Sequence, residues 1–511
     1  MQTRRRCREL RFLSAATVAV ALVLGTASMA AAVEPPVPSV TGPVTGGAGD
    51  AALLRPTLPA DSGYVTQEYF LTGDATAYAS ATPLTTDGKW KLTPAGTAPY
   101  ATRMVVIRPS DPKRFNGTVY VEWLNVSAGF DTPATYLMDR QLVVREGAAW
   151  VGVSAQAVGV QGSSSGTATA GFASGIKAAD PERYASLSHP GDSYSYDIFT
   201  QAGRAIRGEG EVKPLGDLTP KRLIATGESQ SASRMVTYID GVNPLAPKVW
   251  DGFLVHSRFG GGAALTQAPL PDVTVPNGTV IRTDVPVPVL MFETESDVGP
   301  LGGAAARQPD TRRIHTWEVA GTSHSDAYGT LYNFSDPGDG SAEVKLLDVA
   351  NATVGPLSCA TPINAGPHYA VLMAAVDHLD RWVRTGTPPR SMPRFQVTDG
   401  PPRTVGATTV PTYVIARDAD GIAVGGIRTA FVDAPRARID GENGTGPSFC
   451  RLFGNTIPFD AATLAAKYPS KDAFLAAFRT ATEKSVKAGV VLPEEAKKQL
   501  AAIQQVPYPG A

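Results

Sequence analysis

Arg222-Leu-Ile-Ala-Thr-Gly-Glu-Ser229-Gln-Ser-Ala-Ser-Arg-Met-Val-Thr-Tyr-Ile239 is the stretch that decides the fold. RLIAT (222–226) is a short apolar run of the kind that forms a buried strand. Ala232 to Ile239 carries a helical pattern, and only Gly-Glu-Ser-Gln-Ser (227–231) separates the two. Strand, Gly-x-Ser-x-small and helix in that order describe a sharp turn that lifts a serine hydroxyl clear of the backbone. Gly227 leaves room for the helix to pass close to the strand. Ser231 departs from the pattern, which has Gly there, but is small enough to fit. The new helix aims its first N–H groups at any anion formed beside Ser229.

Outward from this stretch, apolar strands alternate with helical patterns. Val65–Leu71 and Ala101–Arg108 read as antiparallel strands. Gly117–Leu124, Ala148–Ala155, Gly252–His256, Pro288–Phe292 and Arg313–Val319 read as buried strands. A helix is predicted over Tyr194–Arg207, and another over about His368–Arg384 with Tyr369, Leu372, Met373, Val376, Leu379 and Val383 on one face. Near-continuous apolar strands between helices predict an α/β fold with a mostly parallel central sheet covered on both faces.

A serine needs a base, and the base needs an acid to hold it. In a sheet of this kind the order is Ser, acid, His, each beyond the C-terminal end of a strand. PVLMF (288–292) is followed by Glu293-Thr-Glu295-Ser-Asp297, and RIHTWEV (313–319) by Ala320-Gly-Thr-Ser-His324. Of six His, His256 and His315 fall in strands, His368 and His378 on the closing helix, and His189 in a Pro- and Gly-flanked loop. His324, in a small-residue loop after the last strand, is the candidate base. Asp297 is the candidate acid and Glu295 its rival. The oxyanion donors are expected from the N–H of Gln230 and from Asn125-Val126-Ser127, with Asn125 the named candidate.

The N-terminus reads as an address. Arg4, Arg5, Arg6, Arg8 and Arg11 precede an apolar run, Phe12–Leu24, and small residues end at Ala32. This predicts a signal peptide over 1–32 and a secreted or extracytoplasmic product. The run is about 13 residues, short of the ~20 that a spanning helix needs, so no stable membrane insertion is expected. Residues 33–55, rich in Pro and Gly, read as a flexible linker, 56–390 as the catalytic core and 391–511 as an extension packed on it. The Gly- and Pro-rich segments 260–285 and 329–366 are expected to wall the pocket or act as a lid.

The 511 residues carry 46 Lys plus Arg and 47 Asp plus Glu, and no basic block lies outside the first dozen residues. A nucleic-acid partner is therefore excluded. There is no His-Glu-x-x-His and no Cys/His cluster, so neither a metal nor another cofactor is expected. Losing 1–32 removes Cys7 and leaves Cys359 and Cys450, an even pair that predicts one disulfide in an oxidising compartment. Oligomeric state is left open.

GESQS (227–231), VEWLNVSAG (121–129), WVGVSAQAVGV (150–160), FETESD (292–297) and AGTSHSDAY (320–328) together resemble the α/β-hydrolase superfamily. They are similar in particular to a family of exported bacterial proteins described as "alpha/beta hydrolase domain". ARDADGIAVGGIR (416–428) and CRLFG (450–454) extend the resemblance, which spans roughly residues 60–500. It implies a Ser-acid-His triad on Ser229, Asp297 or Glu295, and His324, and it implies no particular substrate. The expected activity is cleavage of a small carboxylic ester. Acyl transfer on the same triad and a non-catalytic binding protein of the same fold are the alternatives.

Overall fold

The computed structural model describes residues 35–162 and 175–508, apart from 247, 355–357, 406–407, 443, 445 and 447. The expected signal segment lies outside the described residues. Among the described residues, nine strands form one sheet: β1 (Ser39–Thr41), β2 (Tyr64–Ser80), β3 (Leu92–Pro109), β4 (Thr118–Trp123), β5 (Ala149–Val153), β6 (Arg222–Glu228), β7 (Gly252–His256), β8 (Val289–Thr294) and β9 (Ile314–Val319). Their spatial order is β1-β2-β3-β5-β4-β6-β7-β8-β9. The first three pairings, up to β3 with β5, are antiparallel, and from β5 to β9 every pairing is parallel.

Side-chain alternation explains why both faces must be covered. In β4, Val119, Val121 and Trp123 join one core with Leu223, Ala225, Phe253 and Val255. Tyr120 points the other way, into a second core with Ile224 and Leu254. Neighbours along a strand take opposite faces, so an all-apolar strand needs helices on both sides. Helices Ser195–Ile206 and Gln230–Thr237 supply one side, through Ile198, Phe199, Met235 and Val236. Helices Ala134–Arg145 and His368–Thr385 supply the other, through Tyr136, Leu142, Tyr369, Leu372 and Trp382. Each fully buried side chain of this size stabilises by about 1.5–3 kcal/mol.

The linker reading of 33–55 is corrected by its described part. Ser39–Thr41 pairs antiparallel with β2. Arg183 donates to the carbonyls of Val44, Gly46 and Gly49, and Asp180 accepts from the N–H of Ala48. A Pro- and Gly-rich run shows no apolar period, yet its unpaired carbonyls are acceptors that a buried guanidinium can collect.

Phe431, Phe453, Phe474 and Phe478 join the same core as Tyr369, Leu372 and Trp382 of the closing helix. Ser470 caps the helix Lys471–Ala488, accepting from the N–H of Ala473. The helix Pro493–Ala502 is tied down by Glu495, which accepts from Arg145 at 2.8 Å. The predicted disulfide is present: Cys359 and Cys450 are bonded across a separation of 91 residues.

Candidate active site

The strand β6 ends at Glu228, and the helix begins at Gln230, leaving Ser229 alone at the corner. Ser229 has φ 60° and ψ −119°, a left-handed conformation that costs a non-glycine residue about 1–3 kcal/mol. Two backbone hydrogen bonds hold it there: Ser229 N donates to His256 O at 3.0 Å, and Ser233 N to Ser229 O at 3.1 Å. At Gly227 a Cβ would come within 2.7 Å of Ser231 O, so only glycine lets the helix turn back this tightly. Ser231 fits in place of the usual glycine because its hydroxyl is buried and donates to Leu124 O at 3.3 Å.

His324 arrives from the loop after β9. Its Nε2 lies 2.8 Å from Ser229 Oγ and its Nδ1 lies 2.6 Å from Asp297 Oδ1. The carboxylate fixes the tautomer: Nδ1–H donates to Asp297, leaving Nε2 to accept the Ser229 hydroxyl proton. Asp297 sits in the short helix Glu295–Val298 after β8, where Thr294 donates to Oδ2 from its backbone at 2.7 Å and from its hydroxyl at 2.6 Å. Ser296 accepts from His324 N at 3.0 Å and donates to Gly441 O. Phe259 stacks on the imidazole at 5.8 Å.

The electrostatics follow the geometry. Burial alone would raise Asp297, but the imidazole of His324 and the hydrogen bonds from His324 and Thr294 outweigh it and hold the carboxyl below its ordinary range. Burial would lower His324, and Asp297 and Glu228 outweigh that, raising it. The site is a base between an acid and a hydroxyl at the C-terminal ends of three parallel strands, an arrangement able to generate a serine nucleophile.

The other named residues divide. Glu295, the rival acid, is engaged elsewhere: it accepts from Gly321 N, Gly441 N and Arg417 Nη1 at 2.6, 2.9 and 2.7 Å. The naming of Asn125 as oxyanion donor is corrected. Its side-chain amide donates to Glu228 O and Oε2, both at 3.0 Å, and its backbone N–H donates to Thr132 O. With every donor used, Asn125 braces the elbow instead. Ser127 N is likewise taken, by Asn125 Oδ1 at 2.7 Å. Among the described residues, the N–H groups of Gln230 and Val126 have no protein acceptor.

Sequence reasoning missed what stands behind the relay. His256 Nε2 and His368 Nε2 are 2.8 Å apart. His368 Nδ1–H donates to Ser323 O at 3.1 Å, so its Nε2 accepts from His256 Nε2–H. The hydroxyl of Thr135 then donates to His256 Nδ1 at 3.3 Å. Both rings are buried and held neutral: burial lowers His256 far below its ordinary value and brings His368 down to about 4. This chain of bonds connects β7, whose His256 carbonyl holds Ser229, to the residue before His324. The signal was present in part, because His256 closes the strand beside the elbow, but nothing in the sequence pairs it with position 368.

On the other flank, Gln230 Nε2 donates to Gln156 Oε1, and Gln156 Nε2 donates to Asp192 at 2.9 Å. Asp192 in turn accepts from Arg234 at 3.0 Å, and Gln267 of the 260–285 segment accepts from Arg234 at 3.0 Å. The 329–366 segment, through Phe334–Gly338, lines a cavity of about 590 Å³ with residues 56–59, Arg140 and Lys498, and none of the relay residues borders it. Among the described residues, no group of three or more His, Cys, Asp or Glu is placed to hold a metal ion, and no helix is long and apolar enough to cross a membrane.

A mostly parallel sheet with a strained serine at one strand end and a histidine from another defines an α/β hydrolase. The chain belongs to the family described as "Alpha/beta hydrolase domain", which matches residues 40–501. No curated protein matches it. Among solved structures it is similar to a thermostable esterase from Pseudomonas putida ECU1011, at 15% identity and TM-score 0.27, over 55% of this chain and 80% of that one. It is also similar to a serine hydrolase without a lid from Xanthomonas campestris, at 14% identity and TM-score 0.25, over 49% of this chain and 86% of that one.

Proposed function

We propose that the chain is an exported serine hydrolase that cleaves carboxylic esters through an acyl-enzyme. Ser229 Oγ attacks the ester carbonyl while its proton passes to His324 Nε2. Asp297 holds the ring and stabilises the imidazolium. The N–H groups of Gln230 and Val126 are the oxyanion donors in this reading, since both stand unused at the elbow and in the loop after β4. Collapse of the tetrahedral intermediate expels the alkoxide, which takes the Nε2 proton. Water, activated by the same ring, then releases the acid and restores the serine.

The observation that carries this reading is the unbroken line from Asp297 through His324 to Ser229, at 2.6 and 2.8 Å, ending on a serine with positive φ. The test is hydrolysis of p-nitrophenyl acetate. Ser229→Ala should lower kcat by three or more orders of magnitude. A variant that keeps the wild-type rate removes the proposal. Export adds a second check: the mature N-terminus in the culture medium should be Val33, and a product that retains Met1 contradicts it.

A further inference from the structure

Glu228 has no part in the relay, yet its side chain reaches the relay histidine. Its carboxylate is buried. Oε2 accepts from Asn125 Nδ2 at 3.0 Å, and the same amide holds the Glu228 carbonyl, so the side chain is clamped at two points. The free oxygen, Oε1, lies 3.5 Å from His324 Nε2. That is the nitrogen that also faces Ser229 Oγ at 2.8 Å. The imidazole therefore stands between two carboxylates, Asp297 at Nδ1 and Glu228 at Nε2. A triad needs only the first.

We propose that Glu228 is a positioning residue of the reaction, one that supports the His324 imidazolium from the Nε2 side and orients that nitrogen while Ser229 Oγ is acylated. This rests on the ester-cleavage reading. In the acylation step the Ser229 O–H bond breaks and the Nε2–H bond forms, and the electron pair of the carbonyl moves onto the oxyanion. The proton later leaves Nε2 for the departing alkoxide. Glu228 gains and loses nothing in this exchange. Its charge opposes that of the imidazolium for as long as the proton stays on Nε2. Once the serine oxygen is esterified it is a poorer acceptor, and Oε1 is the other oxygen toward which Nε2–H can turn.

Several charges bear on the pair. Asp297 in the turn after β8 repels Glu228, and His324 attracts it. Glu122 on β4 feels the Glu228 charge as well. His256 on β7 and His368 on the closing helix both sense a charged His324. Burial dominates and pushes the Glu228 carboxyl up to about 7. Its charge consequently changes near neutral pH. With both carboxylates ionised, the His324 proton is held more tightly than by Asp297 alone.

The experiment compares wild type, Glu228→Gln and Glu228→Asp, following p-nitrophenyl acetate turnover and the rate of fluorophosphonate labelling from acidic to alkaline pH. Catalysis needs unprotonated Nε2. Removing the Glu228 charge lowers the His324 pKa, so in Glu228→Gln the acid limb of kcat/KM should move to lower pH by about one unit. Plateau kcat should fall about tenfold with KM unchanged, the equivalent of one pKa unit of lost support. Glu228→Asp, which keeps the charge, should retain the wild-type limb. An unmoved limb and unchanged kcat in Glu228→Gln, with wild type labelling normally at Ser229, overturn this inference alone. Failure of wild type to label overturns the ester reading and this inference with it. If Glu228→Gln does not fold, the ¹⁵N titration of His324 in the wild type decides: a two-step curve is expected from coupled groups, and a single one-proton curve overturns the proposal.

Discussion

Glu295 Oε2 and Arg417 Nη1 stand 2.7 Å apart, and this ion pair, between a buried carboxylate and a half-buried guanidinium, binds the turn that carries Asp297 to the C-terminal segment. Two carboxylates only two residues apart thus have separate tasks. Asp297 occupies the third helical position after the Thr294 cap, facing His324, while Glu295 at the first position faces the backbone of residues 321 and 441.

The two should separate cleanly on substitution. Asp297→Asn is expected to lower kcat by about 10⁴-fold, because the amide presents the wrong partner to Nδ1. Glu295→Ala is expected to cost about 1–3 kcal/mol of stability for each of the two buried backbone N–H groups, of Gly321 and Gly441, that lose their acceptor, while Arg417 keeps its pairing with Glu442. Turnover per labelled serine should stay within a few-fold. Parallel measurement of kcat and urea midpoint checks this, and a Glu295 variant with the kinetic loss assigned to Asp297 contradicts it.

Gly227→Ala tests the corner itself. The added methyl would meet Ser231 O at 2.7 Å, a backbone atom that cannot step aside without moving the helix. Turnover should fall at least a hundredfold even where circular dichroism still reports a folded chain, since a displacement of about 1 Å suffices for that. Near-wild-type kcat would show that the close approach is not needed.

The Cys359–Cys450 bridge closes a loop of 91 residues, for which chain entropy gives about 4–5 kcal/mol of stabilisation. Cys359→Ala/Cys450→Ala should therefore melt well below wild type, while its ester turnover at low temperature persists. Equal melting temperatures would argue that the bridge contributes nothing.

The buried histidine pair predicts a sign for acid stability. Burial brings His368 from its ordinary 6.5 down to about 4. Between those values the unfolded chain binds more protons than the folded one, so stability falls as the pH drops through that window. His368→Asn removes the titration. The stability gap between wild type and this variant should shrink by about 3 kcal/mol on going from pH ~7 to ~4, as read from urea unfolding. A pH-independent gap would refute it.

What the sequence made legible was local. In the sequence the elbow reads as an apolar run, five linking residues and a helical pattern, which the fold narrows to Ser229 alone at the corner, and the apolar runs of β4 to β9 are long enough to announce a covered sheet. Asp297 and His324 followed because each trails a strand that could be seen. The misreadings are all matters of where a polar group points. Asn125 sits in the expected loop, but only the folded chain brings Glu228 within reach of its amide, and that contact uses up its donors. The arm at 35–55 is held by its carbonyls, which leave no mark on a residue pattern. His256 and His368 are 112 positions apart, and neither ring's neighbour can be inferred from spacing.

The central claim is that Ser229 is a nucleophile activated by His324. Fluorophosphonate treatment followed by peptide mass mapping tests it most directly. The account predicts one phosphonate adduct, on the peptide carrying Ser229, formed far more slowly in His324→Ala. An unmodified Ser229 under conditions that label a reference serine esterase would contradict it.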